Sequence, residues 1–186
     1  MAVDDESKAR IFNNDENMPM SGLQVASDED RKILAMVILG VDITEVYSPE
    51  RIATVAKEFG LTAGSSMDLT NGWDFTRGDH RRAAWKQIEK EDPYLLVASP
   101  PCTWFSTLME LNVHVNRKNP VWMAKYEVEK AKAIGHANFC CSLYERQLRR
   151  GRHFLHEHPW SARSWGLWKI KKLLNNPAVS ITQGHM

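Results

Sequence analysis

From Val41 onward, short apolar runs of period two alternate with longer stretches whose apolar positions recur every three or four residues. The β-branched run 41–47 (VDITEVY) predicts a strand. Ser48-Pro49 then opens a helix over 49–59, with proline at its first position and Gly60 at its end. Residues 61–67 predict a second strand that runs into a turn-rich loop, 68–79 (DLTNGWDFTRGD). Asp79 caps a helix over 80–91, Asp92-Pro93 closes it, and 94–99 (YLLVAS) predicts the third strand. Pro120 begins the longest helix, to about Arg150, with Tyr126, Ala133, Ala137, Cys140, Tyr144 and Leu148 on one stripe. Gly151 ends it, 152–157 (RHFLHE) predicts a fourth strand, and Ser161 caps a basic helix to about Asn175. The run 178–182 (AVSIT) predicts a final strand. Ahead of all this, 1–26 is polar and aperiodic, a tail, and Ser27 caps a short helix over 28–39 that Gly40 stops.

Strands alternating with helices predict an α/β domain over 27–186, with a parallel sheet and helices on both faces. Such sheets bind ligands beyond the carboxyl ends of their strands, at the point where the strand order reverses. Glu45, Asp68, Cys102 and Glu157 all fall at or just past the carboxyl end of a predicted strand.

Composition narrows the classes. The 186 residues suit one domain, 43% of them hydrophobic, with 24 basic against 23 acidic side chains, so no global basic field points to nucleic acid. The distribution is uneven: acids crowd 4–30, whereas Arg146, Arg149, Arg150, Arg152, Arg163, Lys169, Lys171 and Lys172 predict a local cationic surface. No apolar stretch approaches the roughly 20 residues that span a bilayer, so no membrane partner is expected. The N-terminus lacks the basic start and apolar core of a secretory signal, and three cysteines, two adjacent, form no disulfide framework. An intracellular protein with reduced thiols is the expectation.

The third strand breaks on Ser-Pro-Pro-Cys. Proline cannot donate to a sheet ladder and biases its predecessor to extended geometry, so Pro100 and Pro101 stiffen the loop that carries Cys102. A thiol of pKa about 8.5 becomes a strong nucleophile once activated. SPPCTWFS (99–106) resembles the catalytic loop of DNA (cytosine-5) methyltransferases, Pro-Cys, a variable pair, then Phe-Ser. In that family the thiolate attacks C6 of a flipped-out cytosine, and C5 then takes the methyl of S-adenosylmethionine. The loop also overlaps the Ser-Pro-Pro-aromatic loop of amino-methyltransferases, but here a cysteine holds the aromatic position. Glu157, in RHFLHEHPW, matches the family's glutamate that grips the cytosine ring, although the triplet is Glu-His-Pro rather than Glu-Asn-Val.

The same resemblance implies a cofactor site for S-adenosylmethionine. EVYSPERIA keeps the acid Glu45, the aromatic Tyr47 and the small Ser48 of the family's loop, with Pro49 and Arg51 in place of its glycines. Asp68 matches the acid that binds the ribose, Asp74 and Phe75 the pair that contacts adenine, and Pro100 the loop that borders the cofactor. The resemblance covers 41 to about 186, in the family's order. It implies a shortened Rossmann-like methyltransferase sheet, incomplete at its C-terminus, with cytosine-containing DNA as partner and RNA as the alternative. The chain also resembles segments of mobile-element polyproteins, which would make it a piece of a larger protein. Two other readings stay open: a non-catalytic descendant of such an enzyme, and a methyltransferase acting on RNA or an exocyclic nitrogen. His153, His156 and His158 do not make a zinc site, because on a strand His153 points away from the other two. Cys140-Cys141 read as core, as do the tryptophans of SWGLWKIKKLL.

Overall fold

The computed structural model describes Ser27 and residues 40–184; the predicted tail 1–26 and the helix predicted over 28–39 lie outside the described residues. The order is β1 (Ile43–Val46), α1 (Ile52–Glu58), β2 (Ala63–Met67), α2 (Gly78–Glu91), β3 (Leu95–Ala98), α3 (Thr107–Asn116), α4 (Pro120–Arg149), β4 (His153–His156) and α5 (Trp168–Leu174). Short 3-10 turns fill Leu69–Asn71, Thr103–Phe105 and Arg163–Gly166. The strands form one four-stranded sheet, parallel throughout, in the order β2-β1-β3-β4.

Side chains alternate across a strand, and the core divides accordingly. Val46, Leu96, Ala98 and Phe154 pack with Ala84 and Ile88 of α2, Cys140, Leu143 and Tyr144 of α4, and Ile170 and Leu173 of α5. Ile43 and Val97 point the other way and meet Ala56 of α1. Right-handed crossovers explain the division: β1 to β2 steps one way, while β2 to β3 and β3 to β4 step the other. Helices therefore cover both faces, as the alternation predicts, and β1, buried along its whole length, suits the centre of a parallel sheet. Close to the sheet's amino end, a Cβ on Gly64 would lie 2.5 Å from Thr44 Oγ1 and 2.6 Å from Glu91 Oε2, so only glycine leaves room for that buried hydrogen-bonded pair.

The 30-residue α4 is about 45 Å long, against about 13 Å for a four-residue strand. Its C-terminal end is pinned at the sheet's amino end, where Gln147 Nε2 donates to Pro93 O at 2.9 Å and to His153 O at 3.0 Å. The N-terminal half therefore rises past the carboxyl edge, where Tyr126 meets Trp104 at 6.1 Å between ring centroids.

Several local expectations are corrected. No strand forms over 178–182, despite its β-branched residues. Asn176 turns the chain there, accepting Val179 N on its carbonyl and Ala178 N on its side chain, both at 2.9 Å. The segment leaves that turn across a groove from β4 instead of against its edge. The helix after β1 starts at Ile52 rather than Pro49, because its cap comes from Glu45 and not from Ser48-Pro49. Asp79 is not a cap: α2 begins at Gly78, and Asp79 pairs with Arg77 at 2.6 Å from within the first turn. Ser161 does not cap the basic helix either; a turn closed by Ala162 N to Pro159 O and a 3-10 turn precede α5. Finally, α3 occupies a stretch to which the sequence reading assigns no element; it buries no residue, and its Leu108, Leu111 and Val115, at helical spacing, are exposed.

Candidate functional site

Register places the strand ends level. Val46 pairs with Met67 and with Ala98, and Ala98 pairs with His156. The next residues, Tyr47, Asp68, Ser99 and Glu157, therefore share one edge. Three of them prolong the ladder by one step: Tyr47 N to Met67 O at 2.8 Å, Ser99 N to Val46 O at 3.2 Å and Glu157 N to Ala98 O at 3.1 Å. The chain leaves β1 toward β2 and returns on the other side at β3, so the switch point lies between β1 and β3. The loops that flank it are 47–51 and 99–106.

The second of these loops is stiff. Pro100 is buried and Cys102 half-buried, with a free thiol that makes no hydrogen bond among the described residues. Phe105 N closes the 3-10 turn onto Cys102 O at 2.9 Å, and the Ser106 hydroxyl accepts Met109 N at 3.1 Å to cap α3. Phe105, 3% exposed, packs with Ala133 of α4 and Ala162. Its ring lies 6.1 Å from that of His158, which brings the cysteine loop against the segment carrying Glu157. Glu157 is exposed, and its carboxylate has no hydrogen-bond partner among the described residues.

The residues assigned to a cofactor have divergent fates. Glu45 lies within β1, fully buried, facing α1. Its carboxylate accepts Ala53 N at 2.9 Å, Arg51 N and Ile52 N at 3.2 Å, Ser48 Oγ at 2.9 Å and Ser66 Oγ at 3.1 Å. It caps a helix, and every bond it makes is internal. Ser48, 8% exposed, also donates to Pro49 O at 2.9 Å. Phe75 is 3% exposed and belongs to the core, 4.7 Å from the Tyr47 ring. Asp68 and Asp74 remain half-buried at the edge; each accepts two bonds on Oδ1, from Thr70 and Thr76 respectively, and each leaves Oδ2 open. Those Thr76 bonds hold the Asp74 carboxyl below the usual range.

Tyr47 itself has φ 60, a left-handed conformation unusual for a non-glycine residue. Its hydroxyl is 2.9 Å from His136 Nδ1 of α4, and burial keeps that phenol protonated far above the ordinary range. His136 is the residue that sequence reading missed. Its only signal is position, three residues beyond Ala133 on the margin of the buried stripe. His156 and His158 are different in kind: their rings stack at 5.3 Å, and His156 Nε2 and both His158 nitrogens are buried without a partner. Among the described residues, no cluster of three or more histidine, cysteine or acidic side chains is arranged to hold a metal ion. Cys140 and Cys141 are core, and burial pushes the Cys141 thiol up to about 11.

Five of the eight residues of the expected cationic surface are ion-paired, but to three carboxylates only, so a net positive charge remains. Asp92 gathers Arg146, Arg150 and Arg152 within 3.3, 2.6 and 3.0 Å, Lys172 meets Glu145, and Arg163 meets Glu110. A groove of about 550 Å³ runs along the open edge of β4 from Leu148 to Glu157, with 178–184 as its far wall. It touches the candidate site only at Glu157 and His158, because the switch point lies two strands in. No described helix is long and apolar enough to cross a membrane. Comparison of the chain with family models, curated proteins and solved structures found no match.

Proposed function

We propose that this domain transfers a methyl group from S-adenosylmethionine to C5 of cytosine in DNA through a covalent Cys102 adduct. The observation that carries the reading is the Pro-Pro-Cys loop, held beside Glu157 on one sheet edge by the Phe105–His158 contact. Cys102 Sγ adds to C6 of the ring. Glu157 holds the ring at N3 and its amino group, and a proton shared with N3 offsets the charge that the addition drives into the ring. C5 thereby becomes nucleophilic, and loss of its proton after methylation expels the thiolate. S-adenosylmethionine supplies the electrophilic methyl, and the open Oδ2 atoms of Asp68 and Asp74 suit the hydroxyl and amino donors of its nucleoside. Glu45 and Phe75 do not fit that task, one capping α1 and the other packed in the core. This is the observation that favours a second reading, a non-catalytic domain that keeps the sheet and has lost the cofactor.

The test is a trap. An oligonucleotide carrying 5-fluorocytosine, incubated with the full chain and S-adenosylmethionine, should give a covalent complex by mass spectrometry, absent in Cys102→Ser. A Cys102→Ser protein that still traps, or an unaltered protein that binds both ligands and never traps, overturns the reading.

A further inference from the structure

We infer that His136 Nε2 takes the proton that leaves C5 of the methylated cytosine, its ring set by the Tyr47 hydroxyl; this rests on the methyl-transfer reading. The placement comes from α4. Ala133 packs against Phe105 of the cysteine loop, and His136, three residues on and on the same helix face, reaches Tyr47 of the loop after β1. One turn of helix thus bridges the two loops that flank the switch point.

Its chemistry suits the task. Nδ1 lies 2.9 Å from the Tyr47 hydroxyl, with the rings edge to face at 86°, and the role requires the tautomer in which Nδ1–H donates to the phenol oxygen and Nε2 keeps its lone pair. Nε2 has no partner among the described residues and is not sealed off, unlike Nε2 of His156 and both nitrogens of His158. His80 is engaged elsewhere, accepting Asp74 N at 3.0 Å on its Nδ1. Three titratable groups face His136: Tyr47 after β1, Asp74 in the loop before α2, and Arg81 on α2. Burial first, then Arg81, lowers its pKa against the opposing pull of Asp74, so the ring is neutral near pH 7. The Tyr47 backbone is left-handed, a conformation unusual for a non-glycine residue, where its phenol meets this ring.

In the step itself the C5–H bond breaks and its electron pair becomes the C5=C6 double bond. The C6–S bond breaks and returns its pair to Cys102 as thiolate. The proton passes to the Nε2 lone pair, and the resulting imidazolium keeps its Nδ1–H on the Tyr47 oxygen until solvent removes the charge. No other reactant is needed.

A fluorine at C5 cannot leave as a cation, so the trap with 5-fluorocytosine forms before this step, and ordinary cytosine must complete it. With single-stranded oligonucleotides of mixed sequence, His136→Gln should trap fluorocytosine within about threefold of the unaltered rate while cytosine turnover falls about 10²-fold or more. Tyr47→Phe should also trap, and should shift the acid limb of the pH profile for cytosine turnover. Turnover by His136→Gln within about fivefold of normal overturns the assignment, as does parallel loss of trap and turnover in both variants. Absence of any trap with unaltered protein that binds both the oligonucleotide and S-adenosylmethionine overturns methyl transfer, and the assignment with it, so the two failures are distinct.

Discussion

His156 is the side chain whose surroundings most change its behaviour. Its Nδ1 sits 2.8 Å from the Tyr144 hydroxyl, and Trp165 meets its ring edge-on. Burial, aided by neighbouring His158, pushes its pKa down to about 4. An unfolded histidine takes its proton near pH 6.5, whereas the folded one resists until about 4, so the stability is whole above 6.5 and drains away as pH falls through this window. The loss is on the order of 3 kcal/mol at its limit. Urea midpoints should therefore drop between about pH 7.5 and about pH 4.5, and His156→Gln, which leaves Tyr144 a partner, should flatten part of that slope. An unchanged slope would show that His156 is not the group responsible. The sequence displays three histidines around β4 without distinguishing them. Burial separates them, and burial depends on Tyr144 and Trp165, which lie 12 and 9 residues away.

At the scale of elements, α1 depends on β1. A buried carboxylate receives the first N–H groups of α1, as a helix N-terminus favours, and two serine hydroxyls complete its shell. Glu45→Gln turns one acceptor into a donor facing donors. It should cost about 2–4 kcal/mol by chemical denaturation and speed amide exchange in α1 first. A variant as stable as the original would mean that water replaces those bonds. Here the sequence suggests a simpler story, with Ser48-Pro49 as the start of the helix, because capping rules are local and this cap folds back from the preceding strand. The short α3 carries Leu108, Leu111 and Val115 at helical spacing, so its period is legible; only the structure shows that this face is exposed and not part of the core. Long elements fare better: Asn119-Pro120 and the stripe from Tyr126 to Leu148 mark α4 plainly, with Asn119 Oδ1 accepting Trp122 N at 3.1 Å.

For the molecule as a whole, the two readings of function differ in one measurable quantity. A domain that keeps its cofactor site must be stabilised by ligand, in proportion to RT ln(1 + [L]/Kd). S-adenosylhomocysteine at about 100 times its Kd should add about 2.7 kcal/mol, and a double Asp68→Asn, Asp74→Asn variant should lose most of that gain while folding normally. No shift at millimolar ligand would favour the non-catalytic reading. Only three carboxylates, Asp92, Glu110 and Glu145, offset the eight basic residues of 146–172, so nucleic-acid affinity should fall steeply with added salt, and a salt-independent affinity would show that this surface is not used.

The sequence alone determined the alternation of strands and helices, the parallel sheet and the edge on which Cys102 and Glu157 lie. Period, proline and glycine act over a few residues, and right-handed crossovers then leave few topologies open. Tertiary structure alone decided which acids are free, that Glu45 serves α1 while Asp68 and Asp74 keep an open oxygen, and that His136 meets Tyr47 across 89 residues of chain. The reason is physical: a side chain's availability depends on the donors and apolar groups that surround it, and those arrive from distant segments only when the chain has folded.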